Sequence, residues 1–113
     1  MDQGKALTAL SALANGTRLE LVRALIAAGA EGLAAGEIAR RLDISASRLS
    51  FHLAALEQAG LITSRRASRH VFYAADAGGI GGVISYLLND CCKGHPEISA
   101  CCLHPGQVIR PEP

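Results

Sequence analysis

The chain has 113 residues, half of them hydrophobic, with eleven Lys and Arg against ten Asp and Glu and a formal charge of +1. That length fits one domain, and the near-balance of charge taken alone argues against a strongly basic nucleic-acid binder. No run reaches the ~20 apolar residues of a membrane span. With no Trp and only two Tyr and two Phe, the core must be built of Ala, Leu, Ile and Val, which favours helices over a sheet sandwich.

The opening Met1-Asp2-Gln3-Gly4-Lys5 lacks the basic-then-apolar plan of a secretion signal, so a cytoplasmic protein with reduced thiols is expected. Residues 3–14 place Leu7, Leu10 and Leu13, with Ala6 and Ala14, on a helical stripe. Asn15-Gly16 interrupts it. Thr17 and Glu20 have capping-box spacing and predict the start of a second helix. That helix runs to Ala28, with Leu19, Val22 and Ile26 on one face and Leu21 and Leu25 beside it, and Gly29 ends it. A short third helix spans 35–42, with Ile38 and Leu42 four apart. Asp43-Ile44 makes a turn and Ser45 is a natural N-cap. The fourth helix runs to about Ala59, burying Leu49, Leu53 and Leu56, and Gly60 stops it.

The period then changes. Leu61–Ser64 and His70–Tyr73 are β-prone runs flanking Arg65-Arg66-Ala67-Ser68-Arg69, which predicts a hairpin with a basic tip. A fifth helix is expected over 77–90, where Ile80, Val83, Ile84, Leu87 and Leu88 give an amphipathic spacing. Gly78, Gly79, Gly81 and Gly82 weaken its first turn. The predicted fold is mainly α with a β-hairpin wing, in the order α-α-α-α-β-β-α: a winged helix-turn-helix. Residues 1–90 are read as that domain and 91–113 as a cysteine-rich tail.

A recognition helix enters the major groove with polar side chains near its N-terminus. Ser45, Ser47, Arg48, Ser50, Phe51 and His52 cluster there, and Arg48 has the two-pronged donor geometry that fits a guanine edge. His52 is equally consistent with packing against the body. Arg65, Arg66 and Arg69 on the wing suit phosphates or the minor groove. Each group alone also fits a solvated helix start or a solvated turn; the two in succession point to double-stranded DNA.

These residues carry a resemblance. Ser50-Phe51-His52-Leu53-Ala54-Ala55-Leu56-Glu57-Gln58-Ala59-Gly60-Leu61-Ile62 resembles the S-x-H-L-x-x-L-x-x-A-G-L-V stretch of the ArsR/SmtB family of metal-responsive repressors. Ala14 to Glu20 resembles that family's A-x-x-x-R-L helix start, and Arg65 to Tyr73 its wing. The likeness covers residues 5–90. Two positions depart from it: Ala67-Ser68 stands where the wing tip usually has a glycine, and Phe51 where His is frequent. The resemblance implies a homodimer joined by the first and last helices. The long apolar stripe of the fifth helix and the Leu7 stripe agree with this. A dimer sets two recognition helices about one DNA turn apart, so an inverted-repeat operator is expected.

All four cysteines, Cys91, Cys92, Cys101 and Cys102, fall within twelve residues. Thiolates select soft ions. Three converging thiolates suit trigonal-pyramidal As(III) or Sb(III), two would suffice for methylated As(III), and four would suit tetrahedral Zn(II). A reversible disulfide is a further reading, so a redox-switched repressor and a zinc- or cadmium-responsive one stand beside the arsenic reading. Known arsenic repressors of the family carry C-V-C on the third helix, and zinc-sensing members carry paired Asp and His on the last. Residues 34–37 contain no Cys and 76–90 no His. The tail resembles instead those members that bind As(III) through an adjacent cysteine pair just after the last helix plus one more cysteine. As(III) is therefore the expected effector, with no organic cofactor. No nucleophile–base pair or carboxylate pocket suggests an enzyme.

The net charge divides unevenly. Residues 1–36 sum to zero, 37–73 to +3 and 74–113 to −2. The basic excess thus lies on the expected DNA-facing segment.

Overall fold

A computed structural model describes residues 1–91 and 95–98. Helices α1 (Gln3–Leu13), α2 (Gly16–Ala28), α3 (Ala35–Leu42) and α4 (Ala46–Gln58) are followed by strands β2 (Ile62–Ala67) and β3 (His70–Ala75), then α5 (Ala77–Ser85). A two-residue strand, β1 (Leu33–Ala34), precedes α3 and pairs with β3, making a three-stranded antiparallel sheet in the order β1-β3-β2. The winged helix-turn-helix expected from the sequence is present. β1 was not expected, because two residues are too few for any periodicity to show.

Leu21, Leu25, Ile38, Leu56, Leu61 and Ile62 form the fully buried centre, contributed by α2, α3, α4 and the start of the wing. Leu49 and Leu53 bury as expected. Packing selects which side of each helix turns inward, and one face and one cap differ from expectation. In α1 the inward residues are Ala6, Ala9 and Ala12, while Leu7 is 57% exposed. Small side chains let this helix approach its neighbours closely, and the leucines are displaced to the flank. In α2 the inward residues are Leu21, Val22 and Leu25, with Leu19 and Ile26 turned outward. That helix is apolar on several sides, so only packing could choose its rotation. Its N-cap is Asn15, whose side chain accepts from the Arg18 amide, and Thr17 lies inside the helix.

The fifth helix begins where expected, capped by Asp76, which accepts from the Gly79 amide at 3.1 Å. One of its glycines has a steric reason: a Cβ on Gly79 would collide with the Gly60 carbonyl, so this residue lets α5 cross the turn after α4 at close range. From Tyr86 to Cys91 the winding relaxes to a π-helix rather than continuing as α. Val83 and Leu88, five residues apart, are both buried, a spacing that suits the wider turn.

Candidate nucleic-acid interface

The turn between α3 and α4 is made by Asp43, in the left-handed region at φ 55°, whose amide and that of Ile44 close the end of α3. On α3 itself, Glu37 bonds Arg40 at 2.9 Å and Arg41 at 3.0 Å. Arg41 and then Arg40 hold its carboxyl below the ordinary value.

Ser45 caps α4 by accepting from the Arg48 amide at 3.2 Å, and its hydroxyl lies 3.5 Å from that of Ser47. Ser45, Ser47, Arg48, Ser50 and Phe51 are all exposed. The Arg48 side chain makes no hydrogen bond or ion pair among the described residues. Its charge is therefore available to an anionic partner. Phe51 is 67% exposed at the same end of the helix, a large apolar surface suited to a thymine methyl or a sugar.

His52 is a correction. It is only 7% exposed and faces the body, where its Nδ1 accepts from Arg18 Nε at 3.0 Å. A side chain so placed does not reach a base edge, so it leaves the set of direct contacts. Burial pushes its imidazole below the ordinary value, and the charges of Arg18 and Arg48 push it the same way. The Arg18 guanidinium also lies 5.5 Å from the Phe51 ring centroid, and its Nη1 donates to the Ala12 carbonyl at 3.4 Å. Arg18 thereby connects α1, α2 and α4. It is the Arg of the A-x-x-x-R-L match, yet the sequence assigns it no DNA role, because an isolated Arg on a helix gives no sign of a partner 34 residues away.

The wing is also rearranged relative to expectation. Arg65 and Arg66 lie within β2, and the turn is Ser68-Arg69, with Ala67 paired to His70 and Ser68 at φ 61°. Alternation along the strand separates the two arginines to opposite faces. Arg65 donates to the Glu31 carbonyl at 2.9 Å and stacks over Phe72, its cross-strand partner, at 4.8 Å. It braces the root of the wing. Arg66 and Arg69 are exposed and make no such contact among the described residues. At the other edge Ser64 donates to the Glu57 carboxylate at 2.7 Å, tying β2 to the end of α4.

Apolar surface collects beside α5. A hollow of about 490 Å³ between α2 and α5 is lined by Leu25, Ile26, Ala30, Ala75, Ile80 and Ile84, among others. A second, of about 310 Å³, lies between α1 and the π segment that follows α5, against Leu7, Leu10, Tyr86 and Leu87. Cys91 ends the π segment. Cys92, Cys101 and Cys102, and with them the expected thiol cluster, lie outside the described residues. No helix of the described residues is long and apolar enough to cross a membrane.

Comparison with known proteins agrees with this architecture. A family described as a helix-turn-helix domain matches residues 13–65. The chain is 33% identical over 94 residues to the transcriptional activator HlyU of Vibrio cholerae, spanning 83% of this chain and 84% of that protein. It is 47% identical over 57 residues to a putative arsenical resistance operon repressor, ArsR, of Halobacterium salinarum, spanning 50% of this chain and 43% of that one. Among solved structures it is similar to a homodimeric winged helix-turn-helix DNA-binding domain of Mycobacterium bovis, a possible ArsR-family regulator, with TM-score 0.61, 25% identity, and 82% and 86% of the two chains covered. The exposed helix start, the wing and these relatives agree: the chain is a DNA-binding transcriptional regulator and belongs to the ArsR/SmtB family of winged helix-turn-helix proteins.

Proposed function

We propose that this regulator is a homodimeric repressor released from its operator by trivalent arsenic. The observation that carries the effector is the packing of all four cysteines into twelve residues, beginning at Cys91, where the described last helix ends. Capture of As(III) by Cys91, Cys92 and one of Cys101 or Cys102 acts at the end of a helix that bears the apolar surface of Ile80 and Ile84. The likeness to an arsenical resistance repressor supports this reading. The dimer is supported by outward-facing Leu7 and Ile84 and by the homodimeric relative. Ser45, Ser47, Arg48, Ser50 and Phe51 then meet the major groove of each half of an inverted repeat. Arg66 and Arg69 meet phosphates, and Arg65 supports the wing. By linkage, effector and operator each weaken the other by the same factor, with a coupling of ~1–3 kcal/mol.

The test is a fluorescence-anisotropy titration of a duplex that the protein itself selects from a random-sequence library. Under reducing conditions, As(III), antimonite or methylarsenite should release the duplex. Cys91→Ser or Cys92→Ser should abolish release and leave binding of the effector-free protein intact. Release by peroxide without metalloid, reversed by reductant, would assign the adjacent thiols to a redox switch instead. Release by Zn(II) or Cd(II) alone would assign them to divalent metals. If no thiophilic species and no oxidant acts, the sensor reading fails.

A further inference from the structure

We propose that Arg18 is a positioning residue for the recognition helix. It holds α4 through a hydrogen bond to a neutral, Nε2-protonated His52 and by stacking on Phe51, so that acid loosens the operator. The inference rests on the DNA-binding reading above and names a regulation of the same helix.

The protonation state follows from the donor geometry. A guanidinium has donors only, so the Nδ1 that faces Arg18 Nε at 3.0 Å must present a lone pair. The single proton of the neutral ring then sits on Nε2. A second proton would add an N–H that faces an N–H and set two cations side by side in a poorly hydrated space. The charges acting on the ring are Arg18 from α2 and Arg48 from α4, both cationic. Among the described residues, α1 contributes to the cluster the Ala12 carbonyl, which accepts from Arg18. Both charges acting on the imidazole are therefore cationic, and among the described residues no carboxylate offsets them.

The consequence for DNA is geometric. His52 adjoins Phe51, and the two rings meet edge to face at 5.6 Å. Arg18 touches both. Losing the bond frees the segment of α4 that carries Ser50 and Phe51 while leaving Leu53 and Leu56 packed below. The sign of the effect is diagnostic. An exposed imidazole lying near phosphate strengthens binding when it carries a proton, because it adds a cation at the backbone, and His70 is exposed on the wing. His52 works in the opposite direction.

The experiment has two readouts, both in a His70→Gln background. Two-bond proton–nitrogen spectra of the free protein report the His52 tautomer without reference to DNA. Anisotropy with the selected duplex, followed from neutral pH stepwise to below the ordinary imidazole value of 6.5, reports function. The expected tautomer is Nε2–H, and affinity should fall progressively as the pH drops below that ordinary value. His52→Asn puts a non-titrating Oδ1 in place of Nδ1. It should keep the neutral-pH affinity and flatten the pH dependence. Arg18→Met should weaken binding at neutral pH and raise the pH at which His52 titrates. An Nδ1–H tautomer would overturn the proposal, as would tighter binding in acid or an unchanged pH profile in His52→Asn. A chain that selects no duplex would sink the DNA-binding reading and this role with it, while the spectra would still report the bond.

Discussion

Helices α4 and α5 are both amphipathic, but they use their apolar faces differently. In α4, Leu49, Leu53 and Leu56 all turn inward, and the outward side is polar apart from Phe51 and alanines. In α5 only Val83 is buried, Ile80 is intermediate and Ile84 is 44% exposed. One helix has its hydrophobic needs met within the chain. The other retains apolar surface beside the hollows against α2 and α1. The difference separates a recognition element, which must be held rigidly and present polar groups, from an element whose stripe asks for a second surface.

The contrast can be broken at either helix. Leu56→Ala, at a position with no exposure, should cost ~2–5 kcal/mol of unfolding free energy by urea titration. It should act on the fold, and therefore on every readout together. Ile84→Glu should leave the thermal midpoint of the isolated fold nearly unchanged but yield monomers in sedimentation. The associated loss of operator affinity should be at least about 100-fold, since two half-sites no longer act together. If Ile84→Glu remained dimeric, the α5 face would not be the interface. Ser45→Ala should cost ~1 kcal/mol through the lost cap, visible in the melting temperature.

Two smaller effects sharpen the picture. Arg66→Ala and Arg69→Ala should each weaken binding to all sequences and reduce the salt slope by ~1. Arg65→Ala should weaken binding without a comparable slope change, because its guanidinium is engaged by Glu31 and Phe72. Stability should also depend on acid through His52. Its folded-state value is depressed below the ordinary 6.5. The unfolded chain therefore takes up the proton first as pH falls. The contribution is fully present above about 6.5 and is lost progressively below it. The urea midpoint should fall in that window, and His52→Asn should remove this share of the fall.

Much of this molecule was legible in the chain. Ser45 as a cap, the leucines of α4, the stop at Gly60 and the short third helix follow from local backbone chemistry and a single clean apolar period, which neighbours have no reason to override. Where a helix was apolar on more than one side, as in α2, or carried both alanines and leucines, as in α1, periodicity offered several faces. Packing then chose the one that let the helices approach closest.

The order of elements, the basic segment and the family likeness follow from the chain alone, because these depend on residue type and spacing along it. Folding in three dimensions was needed to turn His52 inward to Arg18, to make Arg65 a brace of the wing while Arg66 and Arg69 stand free of such contacts among the described residues, and to add Leu33-Ala34 to the sheet. Each of these joins groups distant in sequence. Hydrogen bonds and stacking of that kind form only once the core has set their separation.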